Sequence, residues 1–336
     1  ERKEDIAIII SFMPDHYRAP WWLPGGHLQT IYPFFCARLP RVSYRRERWD
    51  TPDGDFIDLD WLDGASNAPL AVLFHGLESD SHSHYAVSIM AGLQQKNWRG
   101  VVVHFRGCSG EPNRLARAYH SGDSSEIDWI LRRLKTTQPE TRIFAVGVSL
   151  GGNALLKYLG EQGTRAEDLL HAAAAISVPL DLAVAGATLD KGFNRVTYTA
   201  HFLKSLKHKV GAKVARNLLT IDPGKLRKAH TLHAFDDLYT APVHGFRDAN
   251  DYWRLASSLP LLKQIALPTF IINARNDPFM PASVLPGANE VSTAVTLEYP
   301  EQGGHAGFIT GPFPGRLTWL PQQILNFFAA NDDRVA

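Results

Sequence analysis

Cysteine is scarce in this chain: Cys36 and Cys108 are the only two in 336 residues. Two cysteines give no disulfide framework, and a reducing cytoplasm is the default expectation. Long hydrophobic runs are missing as well. The apolar stretch 6–13 is too short to span a bilayer, and residues 1–5 lack the positive start of a signal peptide. The first dozen residues are expected to lie outside the fold. There is no G-x-G-x-x-G after the first parallel-strand pattern, which argues against a dinucleotide site. No internal repeat or low-complexity tract occurs. No nucleic-acid recognition motif occurs, and the basic residues are not interleaved with stacking aromatics, which argues against nucleic acid as a partner. Acid is nearly absent from one segment: between 191 and 228, Asp222 stands alone against ten lysines and arginines.

What is present is a large apolar fraction, 45%, enough for a sizeable core. Segments 45–51 and 56–61 flank Pro52-Asp53-Gly54-Asp55, turn chemistry for an antiparallel hairpin. Strand and helix patterns then alternate: strand 70–74, helix 85–96, strand 100–105, helix 125–137, strand 142–148, helix 150–162 and strand 172–178. This alternation predicts a parallel, doubly wound α/β sheet. About 85 residues intervene before strands 269–273 and 295–299 and a final helix, 317–330. An insertion of that length at the carboxyl edge of a sheet predicts a cap. The expected organisation is an N-terminal extension 1–25, a core 26–178, a helical cap 179–265 and the rest of the core 266–336.

The strand pattern 142–148 ends in Gly147-Val148-Ser149-Leu150-Gly151 and passes directly into a helix pattern. This G-x-S-x-G context predicts a sharp strand-to-helix turn that holds Ser149 out, with glycines where a Cβ would strike neighbouring backbone. A serine hydroxyl needs a histidine to take its proton and a carboxylate to orient that histidine. Asp277 follows strand 269–273 on a polar turn, and Pro278 prevents that strand from continuing. His305 follows strand 295–299 in a loop with two glycines. The chain order Ser149, Asp277, His305 is the α/β-hydrolase order. Two backbone N–H groups should receive negative charge that develops on the substrate; they are assigned to Leu150 and to Leu77 in the His75-Gly76-Leu77-Glu78 loop. Taken singly, Asp277 could be a turn carboxylate and His305 a loop histidine.

His75 is expected to support that loop rather than act as a base. Its spacing to Asp80 matches an H-x-x-x-x-D acyltransferase pattern, read here as coincidence. His82, His84, His104 and His120 are joined by no carboxylate or thiol at ligand spacing and are read as structural, so no metal is expected. Phe202, Leu203, Leu206, Val210, Val214 and Leu218 recur near helical spacing among the bases of the cap. That basic amphipathic helix suits either a solvated outer face or contact with anionic lipid headgroups or anionic substrates. Trp21 and Trp22 suit either the fold's own edge or a partner.

His27-Leu28-Gln29-Thr30, the 52–56 turn, His75-Gly76-Leu77-Glu78, the string 104–113, Tyr119-His120-Ser121-Gly122, the Ser149 turn, Phe235-Asp236-Asp237, the 276–280 turn and Gly303-Gly304-His305 together resemble the bacterial YheT-like hydrolases. These form part of AB hydrolase family 4, an α/β-hydrolase family with monoacylglycerol and phospholipid lipases and ethanol acyltransferases among its eukaryotic members. The likeness runs from about residue 26 to the end. It implies an α/β-hydrolase fold and ester hydrolysis through an acyl-enzyme on Ser149, with Asp277 and His305, a small-molecule ester substrate and no cofactor. An alcohol acyltransferase with the same residues is an alternative; product partitioning between ester and acid distinguishes it. A non-catalytic scaffold binding partners through the basic cap is another, and it predicts no covalent labelling of Ser149. The string 104–113 is expected to shape the pocket wall or to support the Leu77 loop. Oligomeric state and acyl chain length stay open at this point.

Overall fold

A computed structural model describes residues 16–332, so the reading of residues 1–13 lies outside the described residues. One eight-stranded sheet runs in the order β1-β2-β4-β3-β5-β6-β7-β8. Its strands are β1 (Arg45–Asp50), β2 (Phe56–Leu62), β3 (Leu70–Phe74), β4 (Arg99–His104), β5 (Ile143–Val148), β6 (Ala172–Ile176), β7 (Thr269–Ile272) and β8 (Val295–Glu298). The first hairpin joins the rest antiparallel, and every pairing from β4 to β8 is parallel. The predicted strands are all present, with ends shifted by one or two residues.

Strands β3, β5 and β6 are buried at every position, as parallel strands covered on both faces must be. Helices α3 (Ser124–Thr137) and α4 (Leu150–Gln162) pack on one face around Ile130, Leu134, Leu155 and Leu159. Helix α2 (His84–Gln95) and the C-terminal helix α8 (Trp319–Ala330) pack on the other around Ile89, Met90, Ile324 and Phe328. The AAAAI sequence of β6 would favour helix in isolation. Its alanines instead alternate between the two cores, Ala173 and Ala175 on one face and Ala172 and Ala174 on the other.

The residues between β6 and β7 build a helical cap around its own apolar cluster. The cap includes α5 (Leu182–Leu189), α6 (Ala200–Ala215) and α7 (Ala249–Ala256), with a π-helical turn at Arg195–Thr199 leading into α6. Leu203 and Val210 of α6 are buried in the cap cluster as the periodicity implied, but the helix ends at Ala215 and leaves Leu218 outside it. The basic side of α6 is not wholly a solvated face either. Lys213 is buried and donates to the carbonyls of Leu115, Ala116 and Arg117, and burial lowers its pKa to about 8. Lys209 turns inward to Glu78, at 2.8 Å.

Two features of the fold went unread in the sequence. Helix α1 (Gly26–Cys36) carries Pro33 and buries Gln29, Thr30 and Pro33 while exposing Leu28, Phe34 and Phe35. Strand β2 is wholly buried although it contains Asp58 and Asp60. Both are cross-strand partners of arginines in β1: Arg46 bonds Asp60 at 2.7 and 2.8 Å, and Arg48 bonds Asp58 at 2.8 and 2.9 Å. Two-pronged pairs of this kind make the burial of a carboxylate tolerable.

Candidate active site

The chain lays β4 on one side of β3 and then β5 on the other. The strand order therefore reverses between β3 and β5, where a crevice opens at the carboxyl ends of the strands. The loop after β3 carries Leu77, and the turn after β5 carries Ser149. Ser149 has φ 53° and ψ −119°, close to the first central position of a type II′ turn, which glycine normally fills. Its neighbours make room: a Cβ on Gly151 would stand 2.3 Å from the Phe74 carbonyl oxygen, and one on Gly147 would stand 2.6 Å from the Gly152 Cα.

Hydrogen bonds hold loop 75–79 at His75, Gly76, Glu78 and Ser79. His75 is fully buried; its Nδ1–H donates to the Gly76 carbonyl at 2.7 Å, and its Nε2 accepts the Phe105 N–H at 3.1 Å. Burial lowers its pKa to about 3, so the ring is neutral and its tautomer is fixed by these two partners. The Gly76 N–H donates to the Tyr85 hydroxyl at 2.9 Å and the Glu78 N–H to the Tyr119 hydroxyl at 2.8 Å. Among the described residues the N–H groups of Leu77 and Leu150 have no acceptor.

Asp277 and His305 come from the ends of β7 and β8. His305 Nδ1 lies 2.8 Å from Asp277 Oδ2, and the other carboxylate oxygen of Asp277 accepts the Phe279 N–H at 2.8 Å. Phe279 stacks on the His305 ring with centroids 4.0 Å apart. Among the described residues no hydrogen bond joins Ser149 to His305; both line one cavity of about 430 Å³, together with Leu77 and Leu150. Catalytic hydrogen bonds to the nucleophile are commonly long in unliganded sites.

Helix α1 holds both of these loops. The buried Gln29 Oε1 accepts the Gly303 N–H at 2.8 Å and the Asn276 side-chain amide at 2.9 Å. Thr30 Oγ1 accepts the His305 N–H at 2.9 Å, and Asn276 Oδ1 accepts the Gly304 N–H at 3.0 Å. Contact is backbone to backbone: a Cβ on Gly307 would stand 2.0 Å from the Gln29 carbonyl oxygen. On the far side of the loop, the Ala306 N–H donates to Ser177 and its carbonyl accepts from His84. The H-L-Q-T motif was visible in the sequence, but its partners lie more than 240 residues away in the chain.

The segment 104–113 meets both expectations for it. Arg106, Cys108 and Asn113 line the cavity, while Phe105 supports His75. Arg106 is buried and bonds Glu126 and Asp53, both at 2.7 Å; Asn113 bonds Asp55 at 2.6 Å, and His104 bonds Asp60 at 2.8 Å. His120 instead lies in an aromatic cluster with His244, Phe246 and Tyr252, and His82 is exposed. From the cap side, Glu78 accepts from Tyr119, Lys209 and Ser205. The remaining cap lining is largely apolar, including Leu182, Leu189, Phe202 and Leu206.

Residues 69–312 match the family model described as the alpha/beta hydrolase fold. The chain is 41% identical to YheT of Escherichia coli, named as a candidate esterase, over 89% of this chain and 88% of that protein. It is 29% identical to the human phospholipase ABHD3, over 95% of this chain and 81% of that one. In fold it is similar to the Pyrococcus furiosus esterase Pf2001, with a TM-score of 0.55 and 16% identity over 94% of this chain and 98% of that chain. No helix among the described residues is long and apolar enough to cross a membrane.

Proposed function

The chain belongs to the α/β-hydrolase fold family, and on that premise we propose that it is a serine carboxylic ester hydrolase in which Ser149, Asp277 and His305 form the catalytic triad. The reading is carried by one arrangement: a serine at positive φ opens onto the same cavity as a histidine bonded to a buried carboxylate, beside two backbone N–H groups without acceptors.

Ser149 Oγ attacks the acyl carbonyl and passes its proton to His305 Nε2. Asp277 accepts from Nδ1, keeps the ring in the tautomer that leaves Nε2 free, and stabilises the imidazolium. The N–H groups of Leu77 and Leu150 receive the oxyanion; one such donor is worth about 3 kcal/mol in the transition state. The tetrahedral intermediate collapses with loss of the alcohol, which takes the proton from His305. Water, deprotonated by His305, then releases the acid and restores Ser149. Phe279 fixes the plane of the imidazole by stacking, and the loop held by Gln29 and Thr30 fixes its position.

A largely apolar cavity of about 430 Å³ suits a lipid-like ester with a short or medium acyl chain. The relatives named for esters and phospholipids support the same substrate class. The proposal includes a core of residues 26–178 and 266–336 under a cap of residues 179–265, cytoplasmic residence, and peripheral contact with lipid. The test is a fluorophosphonate probe with mass-spectrometric location of the adduct, run beside hydrolysis of p-nitrophenyl esters from acetate to decanoate. The expected result is an adduct on Ser149, a chain-length optimum, and loss of both in Ser149→Ala. Wild-type turnover in that variant refutes the proposal.

A further inference from the structure

Helix α1 is amphipathic in the reverse of the usual sense, since its polar residues are inside and its large apolar residues are outside. Phe34 and Phe35 are 57% and 73% exposed at its C-terminal end, and neighbouring segments add Trp21 at 91%, Phe313 at 72%, Phe193 at 53% and Val196 at 71%. Ring contacts connect these neighbouring segments to α1. Phe313 packs on Trp22, which packs on Tyr32 of α1. Phe34 meets His201 of α6, and His27 of α1 meets Phe193 and Tyr198. Scattered exposed apolar residues need no explanation, but a connected group of aromatics marks an interaction surface.

The charge around it identifies the partner. The three contributing segments, 16–44, 191–204 and 309–318, contain no aspartate or glutamate. They hold Arg18, Arg38 and Arg41, then Lys191, Arg195 and Lys204, then Arg316, all exposed. None of the seven is in an ion pair among the described residues, although ion pairs are common elsewhere on this surface. Exposed tryptophan and phenylalanine ringed by unpaired bases, with no acid among them, match the interface of an anionic bilayer, where aromatic rings enter at headgroup depth and bases meet the negative surface.

We propose that the outer face of α1, with the turns around Trp21, Phe193 and Phe313, docks the protein on anionic lipid bilayers. The surface takes in only the start of the basic helix α6, with His201 and Lys204, while Lys209 and Lys213 further along are engaged inside the protein. The inner face of the docking helix grips the Asp277 and His305 loops, so docking sets the reactive cavity beside the lipid. The proposal goes beyond the ester-hydrolase reading and does not depend on it, because its test reads binding.

The test is co-sedimentation of the purified full chain with vesicles of phosphatidylcholine, with and without phosphatidylglycerol, at low and high salt. Wild type is expected to sediment with the anionic vesicles and to be released by salt. Trp21→Ser/Phe35→Ser/Phe313→Ser should reduce binding by at least about tenfold. Arg38→Gln/Arg41→Gln should weaken it by about 25-fold at low salt, at roughly fivefold for each base near the surface. All five positions are exposed, and thermal unfolding at the wild-type temperature establishes that the variants fold. Equal binding of the aromatic variant, absence of wild-type binding, or binding indifferent to salt overturns the proposal. Sedimentation velocity supplies a further refutation: a wild-type dimer that the same substitutions dissociate would assign the surface to a second copy of the chain.

Discussion

Replacing Ser149 by glycine should stabilise the protein while abolishing turnover, because the backbone at this position is built for a residue without Cβ. At φ 53° and ψ −119°, an L-residue carries strain of about 1–3 kcal/mol, relieved when Cβ is removed. Glycine also loosens the unfolded chain, which costs about 0.4–1 kcal/mol. The hydroxyl makes no hydrogen bond to protein among the described residues, so no bond to a protein partner is lost with it. The net expectation is that Ser149→Gly exceeds Ser149→Ala in stability by roughly 0.5–2 kcal/mol. Alanine is the right reference, since it removes the hydroxyl and keeps the strained Cβ. Urea unfolding of both variants, compared at equal m, measures the difference. If glycine is no more stable than alanine, Ser149 is not strained, and the argument that the turn stores energy to present the hydroxyl is wrong.

Gln29→Ala leaves the Gly303 N–H and the Asn276 amide without their acceptor; the loss of about 1–3 kcal/mol of loop positioning should lower kcat at least about tenfold with KM little changed, and a kcat within twofold of wild type removes Gln29 from the positioning role. His75 and His84 are buried and His120 is partly exposed, and desolvation lowers their pKa values from 6.5 to about 3, 4 and 4. As pH falls below 6.5 the unfolded chain takes up their protons first, so stability held above that value is lost down toward pH 4 and 3, with a slope approaching about 1.4 kcal/mol per unit for each histidine; chemical unfolding at successive pH values checks this, and a flat profile between 6.5 and 4 contradicts the desolvation of all three. Iodoacetamide at pH 8 should alkylate the exposed Cys36 and spare Cys108, which is buried with its thiol pushed up to about 11; peptide mapping reads the outcome, and rapid modification of Cys108 in the folded protein would show that this wall of the cavity opens.

The sequence by itself determined the sheet's strands, the turn at Ser149, the order of the proposed triad and the presence of a cap. Each is written locally: continuous apolar runs such as 70–74 and 143–148, glycines beside Ser149, Pro278 after Asp277, paired glycines before His305. The tertiary structure decided how these pieces meet. Strand order is set by which helices cover which face, and it alone places the Leu77 loop next to Ser149. Helix α1 escaped detection because apolar periodicity assumes the apolar face is buried, whereas this helix buries Gln29 and Thr30 against loops from the opposite end of the chain. The acids of β2 were illegible for a related reason: Asp58 and Asp60 look solvent-facing until the hairpin register sets Arg48 and Arg46 across from them. The inward turn of Lys209 and Lys213 likewise depends on Glu78 and the carbonyls of 115–117, which no helical pattern contains. A local pattern records what a residue does to its own backbone. The identity of its distant partner exists only once the chain has closed on itself.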